Sequence, residues 1–267
     1  MSYFRYIFVV LVYKNIDIVK DFFQSFNISN SKVILVNAFY DIKSERDCEE
    51  LAKEKNAIFL PIKNIGYGGG NLEGINYARK HFKYDFLIIS NSDIVVRNFQ
   101  GLDVFQGREA IIAPNVIMRD IKKQNPDTPI ELPFIYYPTF IALNKGKRWL
   151  YRATHIITRL SRELFFLYEK IIRKESYRIF APHGSFVIFT YKAVEKTYPM
   201  FDNRMFLYNE EWYLGKRAKL LGVPIYYFPQ IEILHLEGGS SSSSIMQSFE
   251  YIRDSFNVFY HWNKYGI

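Results

Sequence analysis

Phe86-Leu87-Ile88-Ile89-Ser90-Asn91-Ser92-Asp93 reads as an apolar strand that ends abruptly in side chains bearing oxygen. An apolar run that does not alternate with polar residues belongs to a strand covered on both faces, the situation of a parallel sheet packed between helices. The residues before it agree. Apolar runs at 6–13, 32–36 and 57–60 alternate with helix-like stretches at 17–26 and 45–55 and a third that follows Gly68, Gly69 and Gly70 and continues to about His81. This βαβαβαβ succession predicts an α/β fold with a mostly parallel central sheet, whose ligands gather at the carboxyl ends of the strands.

Beyond residue 101 the pattern shortens, and Pro114, Pro126, Pro129, Pro133 and Pro138 break it up. Residues 147–174 then read as one helix, with Ile156, Ile157, Leu160, Leu164, Leu167, Tyr168 and Ile171 at three-to-four spacing. A strand is expected at 185–190, a helix at 210–221, strands at 224–228 and 231–235, a flexible serine run at 240–244, and an aromatic-rich helix at 245–262. The 267 residues fit one domain. It divides into a half at 1–100, a half at 101–240 with a helical insertion at 145–178, and a C-terminal helix at 245–267.

Composition narrows the possible functions. Cys48 is the only cysteine, which excludes an intrachain disulfide or a cysteine metal cluster and suits a reducing, cytoplasmic setting. No uninterrupted apolar stretch is long enough to span a bilayer, and residues 6–13, followed directly by Lys14 and Asn15, read as a first strand rather than a signal segment. The net charge of +8 is concentrated. Residues 145–178 hold ten basic residues against Glu163, Glu169 and Glu175, a surplus of seven. That segment carries no zinc, RNA-recognition or helix-turn-helix signature, so no nucleic-acid partner is expected. An apolar stripe beside basic residues is instead the composition of a helix lying on an anionic membrane, which predicts peripheral contact with the inner face of the cell membrane; the same stripe could also pack the helix on the sheet or on a second subunit.

Four constellations could carry chemistry. Asp93 at the end of its strand could bind a hard cation through oxygen, or 91–93 could be an Asx-turn closing the strand. Asn64, Gly66, Gly68 and Asn71 lie between a strand and a helix; Asn71 stands where a dinucleotide-binding motif has its third glycine, so the loop is read as a close backbone approach to another ligand or as a surface turn. Glu210 and Glu211 open a helix, where the macrodipole favours acids, yet a carboxylate in a cleft is also a natural general base for a sugar hydroxyl. His235 ends a strand, either as a structural histidine or as a ligand beside Asp93.

In order along the chain these residues resemble the family 2 glycosyltransferases, in particular the bacterial rhamnosyltransferase-like branch that builds surface polysaccharides. The resemblance rests on 12–15 with Tyr13, on 64–78, on Asn91-Ser92-Asp93, on Gly184, Phe201, Asp202, Tyr208, Glu210, Glu211 and Arg217, and on Gly222, Pro229, His235, Gly239 and Ser240. It implies a GT-A fold and an inverting, metal-dependent transfer, of hexosyltransferase type, from a dTDP- or UDP-linked sugar to a glycan or lipid-linked acceptor. Asp93 and His235 would hold Mn²⁺ or Mg²⁺. Tyr13, Asn37, Asn64, Gly66, Asn71 and Asn91 would bind the donor, and Glu211 would be the general base where the family usually has aspartate, with Glu210 its alternative. The stretch Val36-Asn37-Ala38-Phe39-Tyr40-Asp41 lacks the usual carboxylate and leaves the nucleobase open. The competing reading is a catalytically silent relative that binds sugar nucleotides; retention of Asp93, Glu211 and His235 speaks for turnover.

Overall fold

A computed structural model describes residues 1–236 and 245–266. The expected Gly239 and Ser240 and the serine run 240–244 lie outside these residues. The first half is built from β1 (Ser2–Val12), α1 (Ile16–Ser25), β2 (Ser31–Ala38), α2 (Ile42–Glu54), β3 (Ile58–Ile62), α3 (Gly66–His81) and β4 (Phe82–Asn91). The second half adds β5 (Ile94–Asn98), β6 (Ile111–Met118), α4 (Tyr136–Asn144), α5 (Arg148–Ile172), β7 (Tyr177–Ile179), β8 (Phe186–Thr190), α6 (Tyr191–Thr197), α7 (Glu210–Leu220), β9 (Ile225–His235) and α8 (Ile245–Tyr265).

The strands form one sheet in the order β3-β2-β1-β4-β8-β6-β9-β5, with β7 also paired to β9. Strands β3, β2, β1 and β4 are parallel neighbours. Strand β8 is inserted against this direction between β4 and β6, and β9 restores it beside β6. The sheet is therefore mostly parallel, as expected, with β5, β7 and β8 reversed. Alternate side chains of β1 enter opposite layers: Ile7 and Val9 pack with Ile75 of α3 and Leu214 of α7, whereas Phe8 and Val10 pack with Phe22 of α1 and Leu51 of α2. Burying both faces is what required the unbroken apolar runs. A third cluster joins α4, α7 and α8 through Tyr136, Tyr213 and Phe259.

Two expectations need correction. The glycines at 66–70 are not a loop before a helix, because α3 begins at Gly66 itself. Within that helix Gly70 and Gly74 form the face laid on the sheet: a Cβ on Gly70 would stand 2.7 Å from Leu11 Cδ1, and one on Gly74 would overlap Val9 and come within 2.7 Å of Val36 Cγ2. Gly66 has φ +84°, a conformation open to glycine, and lies under the backbone of Phe206, whose carbonyl accepts the Tyr67 N–H at 2.7 Å. The second correction concerns 224–228 and 231–235, which are one strand, β9; its pairing with β6 shifts register where Pro229, lacking an N–H, interrupts the ladder.

Candidate active site

The carboxyl ends of β4, β8's approach and α7 meet around the segment His183-Gly184-Ser185. The Asn91 N–H donates to the Ser185 carbonyl at 2.8 Å, which fixes the end of β4 against this segment. On its other side the Gly184 N–H donates to Glu211 Oε1 at 3.3 Å, and the Tyr67 hydroxyl donates to the Gly184 carbonyl at 2.5 Å. A side chain at 184 would collide with the Glu211 carboxylate, since a Cβ there would stand 2.7 Å from Oε1.

Asp93, just past β4, and His235, at the end of β9, are brought together: Asp93 Oδ1 lies 3.2 Å from His235 Nε2, and both residues are buried. The imidazole Nδ1 lies 2.7 Å from Gln124 Oε1. In neutral imidazole the proton belongs on Nδ1, donated to that amide oxygen, so Nε2 presents its lone pair to a carboxylate. The approach is not aligned as a hydrogen bond, and Nε2 has no hydrogen-bond partner among the described residues. Two electron-rich atoms so placed can ligate one cation. Ligands about 2.1 Å from an octahedral ion and at right angles lie about 3 Å apart, so the pair fits one edge of a Mg²⁺- or Mn²⁺-type shell. No group of three His, Cys, Asp or Glu among the described residues could hold a metal, which leaves further positions to oxygen atoms of a substrate or water.

Glu210 and Glu211 diverge, as adjacent helical residues must. Glu210 is buried beneath α3, where its Oε1 has no partner and burial, followed by the charge of Glu211, raises its pKa well above the usual carboxyl range. Glu211 instead lines a cavity of about 1050 Å³. Burial, with the Asp127 charge adding to it, lifts its pKa to about 7. Burial also raises Tyr67, which feels the charges of Glu211, Glu210 and Asp93, so these groups surround one hydroxyl.

The expected donor-binding residues occupy different situations. Asn37 is buried at the end of β2, beside Val12 and Pro61 of its neighbouring strands, and its Nδ2 has no partner. Tyr13 packs edge-on against Tyr40, with the Lys14 ammonium over both rings. Asn64 is exposed and makes a local turn, its Oδ1 accepting the Gly66 N–H at 3.2 Å. Asn71 is not at a helix start but inside α3, fully buried, with Nδ2 donating to the Tyr67 carbonyl and Oδ1 unpartnered.

Several cavity residues escaped the sequence reading. Asp127 is raised in pKa by burial, and its Oδ2 accepts from Trp212 Nε1 at 3.2 Å and from the Thr128 hydroxyl at 2.9 Å. His183 packs against His235, and its pKa is pushed down to about 3, by burial first of all. Arg162 of α5 donates to the backbone carbonyls of Lys123 and Gln124, thereby supporting the residue that orients His235. Asp127 follows Pro126 and His183 follows Pro182, both in irregular backbone, and Arg162 lies on α5 among the basic residues of that helix.

No family model and no curated protein matches the sequence. Among solved structures, GalNAc-T7 with UDP, GalNAc and Mn²⁺ superposes with a TM-score of 0.59 at 13% identity, over 97% of this chain and 50% of that one. S. aureus TarS superposes with a TM-score of 0.53 at 11% identity, over 87% of this chain and 36% of that one. The chain thus spans half or less of these structures, and it shares with them the GT-A fold that the resemblance implied.

Proposed function

We propose that this protein is an inverting glycosyltransferase that moves a hexose from a UDP- or dTDP-linked donor to a hydroxyl of a glycan or lipid-linked acceptor. The observation that carries it is the Asp93–His235 pair, 3.2 Å apart with an unpartnered Nε2, beside a cavity into which Glu211 projects with a pKa near 7. Asp93 and His235 would hold Mn²⁺ or Mg²⁺, which supplies charge stabilisation to a departing diphosphate. The GalNAc-T7 structure, of the same fold, holds UDP, GalNAc and Mn²⁺.

The remaining work falls to the chain's own groups. Glu211, oriented by the Gly184 N–H, takes the proton of the acceptor hydroxyl as its oxygen bonds to the anomeric carbon. The bond from that carbon to the diphosphate oxygen breaks on the opposite face, so configuration inverts. Asn37, whose Nδ2 is unpartnered among the described residues, would donate to the nucleobase or ribose, and the packed rings of Tyr13 and Tyr40 would offer the donor an aromatic surface. Rhamnose as the sugar and bacterial surface polysaccharide as the product are the choices that the resemblance along the chain favours. The setting is the cytoplasmic side of the cell membrane, where Cys48 stays reduced.

Calorimetry with UDP and dTDP tests the metal assignment. Binding should require Mn²⁺ or Mg²⁺ and should disappear in Asp93→Ala and His235→Ala. Unchanged affinity in Asp93→Ala, with EDTA also without effect, would remove Asp93 from the site.

A further inference from the structure

Helix α5 is 25 residues long, and Thr154 is its only buried residue. Its attachment is nevertheless complete on one side. Phe165 packs edge-on against Tyr177 and Tyr227, Arg162 holds two carbonyls, and Glu169 is paired with Lys123. The opposite side has no such contacts among the described residues: Trp149 is 69% exposed, Leu164 67% and Ile171 69%, with Ile156, Leu160 and Leu167 also exposed between them. Residues 149, 156, 160, 164, 167 and 171 recur at three, four and seven, so they form one stripe along the helix. Exposed apolar side chains are ordinary singly, but a continuous stripe marks a surface that meets an apolar phase. The sheet does not supply that phase.

We propose that this outer face of α5 docks the protein on an anionic lipid bilayer. Charge selects this occupant. Lys147 and Arg148 stand at one end of the stripe and Arg173 and Lys174 at the other, all exposed, and Arg152, Arg159 and Lys170 lie along its cavity-side flank. None of these seven forms an ion pair with a carboxylate among the described residues. A second copy docked by a two-fold axis would press this cationic face against itself, whereas an anionic surface neutralises it. The helix lies on the bilayer rather than crossing it, because no described helix is long and apolar enough to span. Lipid headgroups then meet the same helix that walls the cavity through Arg152, His155 and Arg159. An acceptor carried by a lipid would reach Glu211 along this wall without leaving the interface; that consequence rests on the proposed transfer, but the docking itself does not.

Co-sedimentation with phosphatidylcholine vesicles containing increasing phosphatidylglycerol tests the docking apart from any activity. The protein should bind in proportion to phosphatidylglycerol and be released by salt. Two variants separate the contributions: Leu160→Asn with Leu164→Asn and Leu167→Asn removes the stripe, and Lys147→Gln with Arg148→Gln, Arg173→Gln and Lys174→Gln removes its terminal charges. All seven positions are exposed, and circular dichroism should show both variants folded. Each should lower partitioning by more than about tenfold. Equal binding of the wild type to neutral and anionic vesicles, equal binding of wild type and stripe variant, or a wild-type dimer in light scattering that the stripe variant abolishes, would overturn the assignment.

Discussion

Glu211 is held by a backbone N–H on one side and a buried, acid-rich neighbourhood on the other, so it is a base whose ionisation falls within the working pH range. Its pKa of about 7 lies above the ordinary 4.5, and the base acts when ionised; transfer should therefore rise with pH through about 7. Glu211→Gln should keep donor affinity and lose about 10²- to 10⁴-fold in transfer rate, while Glu210→Gln, buried under α3, should leave a measurable rate. If Glu210→Gln alone abolishes transfer, the roles are exchanged. Asp127, Glu210 and Tyr67 are the titratable groups facing this carboxylate. Asp127 adds to the shift after burial itself, so Asp127→Asn should move the acid limb of the pH–rate profile to lower pH. A variant that lowers kcat without moving the limb would show Asp127 to be a packing residue only. Asp93, His235 and the two glutamates were legible in the sequence because each sits at the end of a regular element, where periodicity stops and a polar residue is conspicuous. Asp127 and His183 were not, because irregular backbone leaves no period against which to read them.

Helix α3 shows what periodicity conceals. Its glycines suggested a loop, since glycine disfavours helices by about 1 kcal/mol each. Close packing on β1 and β2 reverses that preference: a helix without Cβ atoms on one face can approach the sheet more nearly than any other, and tertiary contact outweighs propensity. Gly74→Ala should thus destabilise the protein by roughly 1–3 kcal/mol, despite alanine's better helix propensity, because Val9 and Val36 occupy the space. Thermal unfolding should record a loss of several degrees. An unchanged or raised melting temperature would mean that the sheet can yield. Strand β9 teaches the converse lesson, for Pro229 marked a break in the sequence that the sheet absorbs as a shift of register. Helix α5, by contrast, was read with nearly its observed ends, because its apolar stripe persists for six turns or so without a competing signal.

The whole molecule was most legible in its first hundred residues, where local alternation dictates topology. The reversed β8 was not, since its place between β4 and β6 depends on pairing across more than ninety residues of chain that no local pattern encodes. What the complete fold adds is convergence: the opening of α7 and one wall of α5 line a single cavity with His183, and His183 in turn packs on His235, which pairs with Asp93 at the ends of β9 and β4. The most direct test of this convergence is release of nucleoside diphosphate from a panel of UDP- and dTDP-sugars, with and without Mn²⁺ and with glycan or lipid-linked acceptors. Release should appear for one donor, depend on both metal and acceptor, and vanish in Glu211→Gln while that variant still binds the donor. Binding of a donor with no release under any acceptor, or release that Glu211→Gln and EDTA leave unchanged, would contradict it.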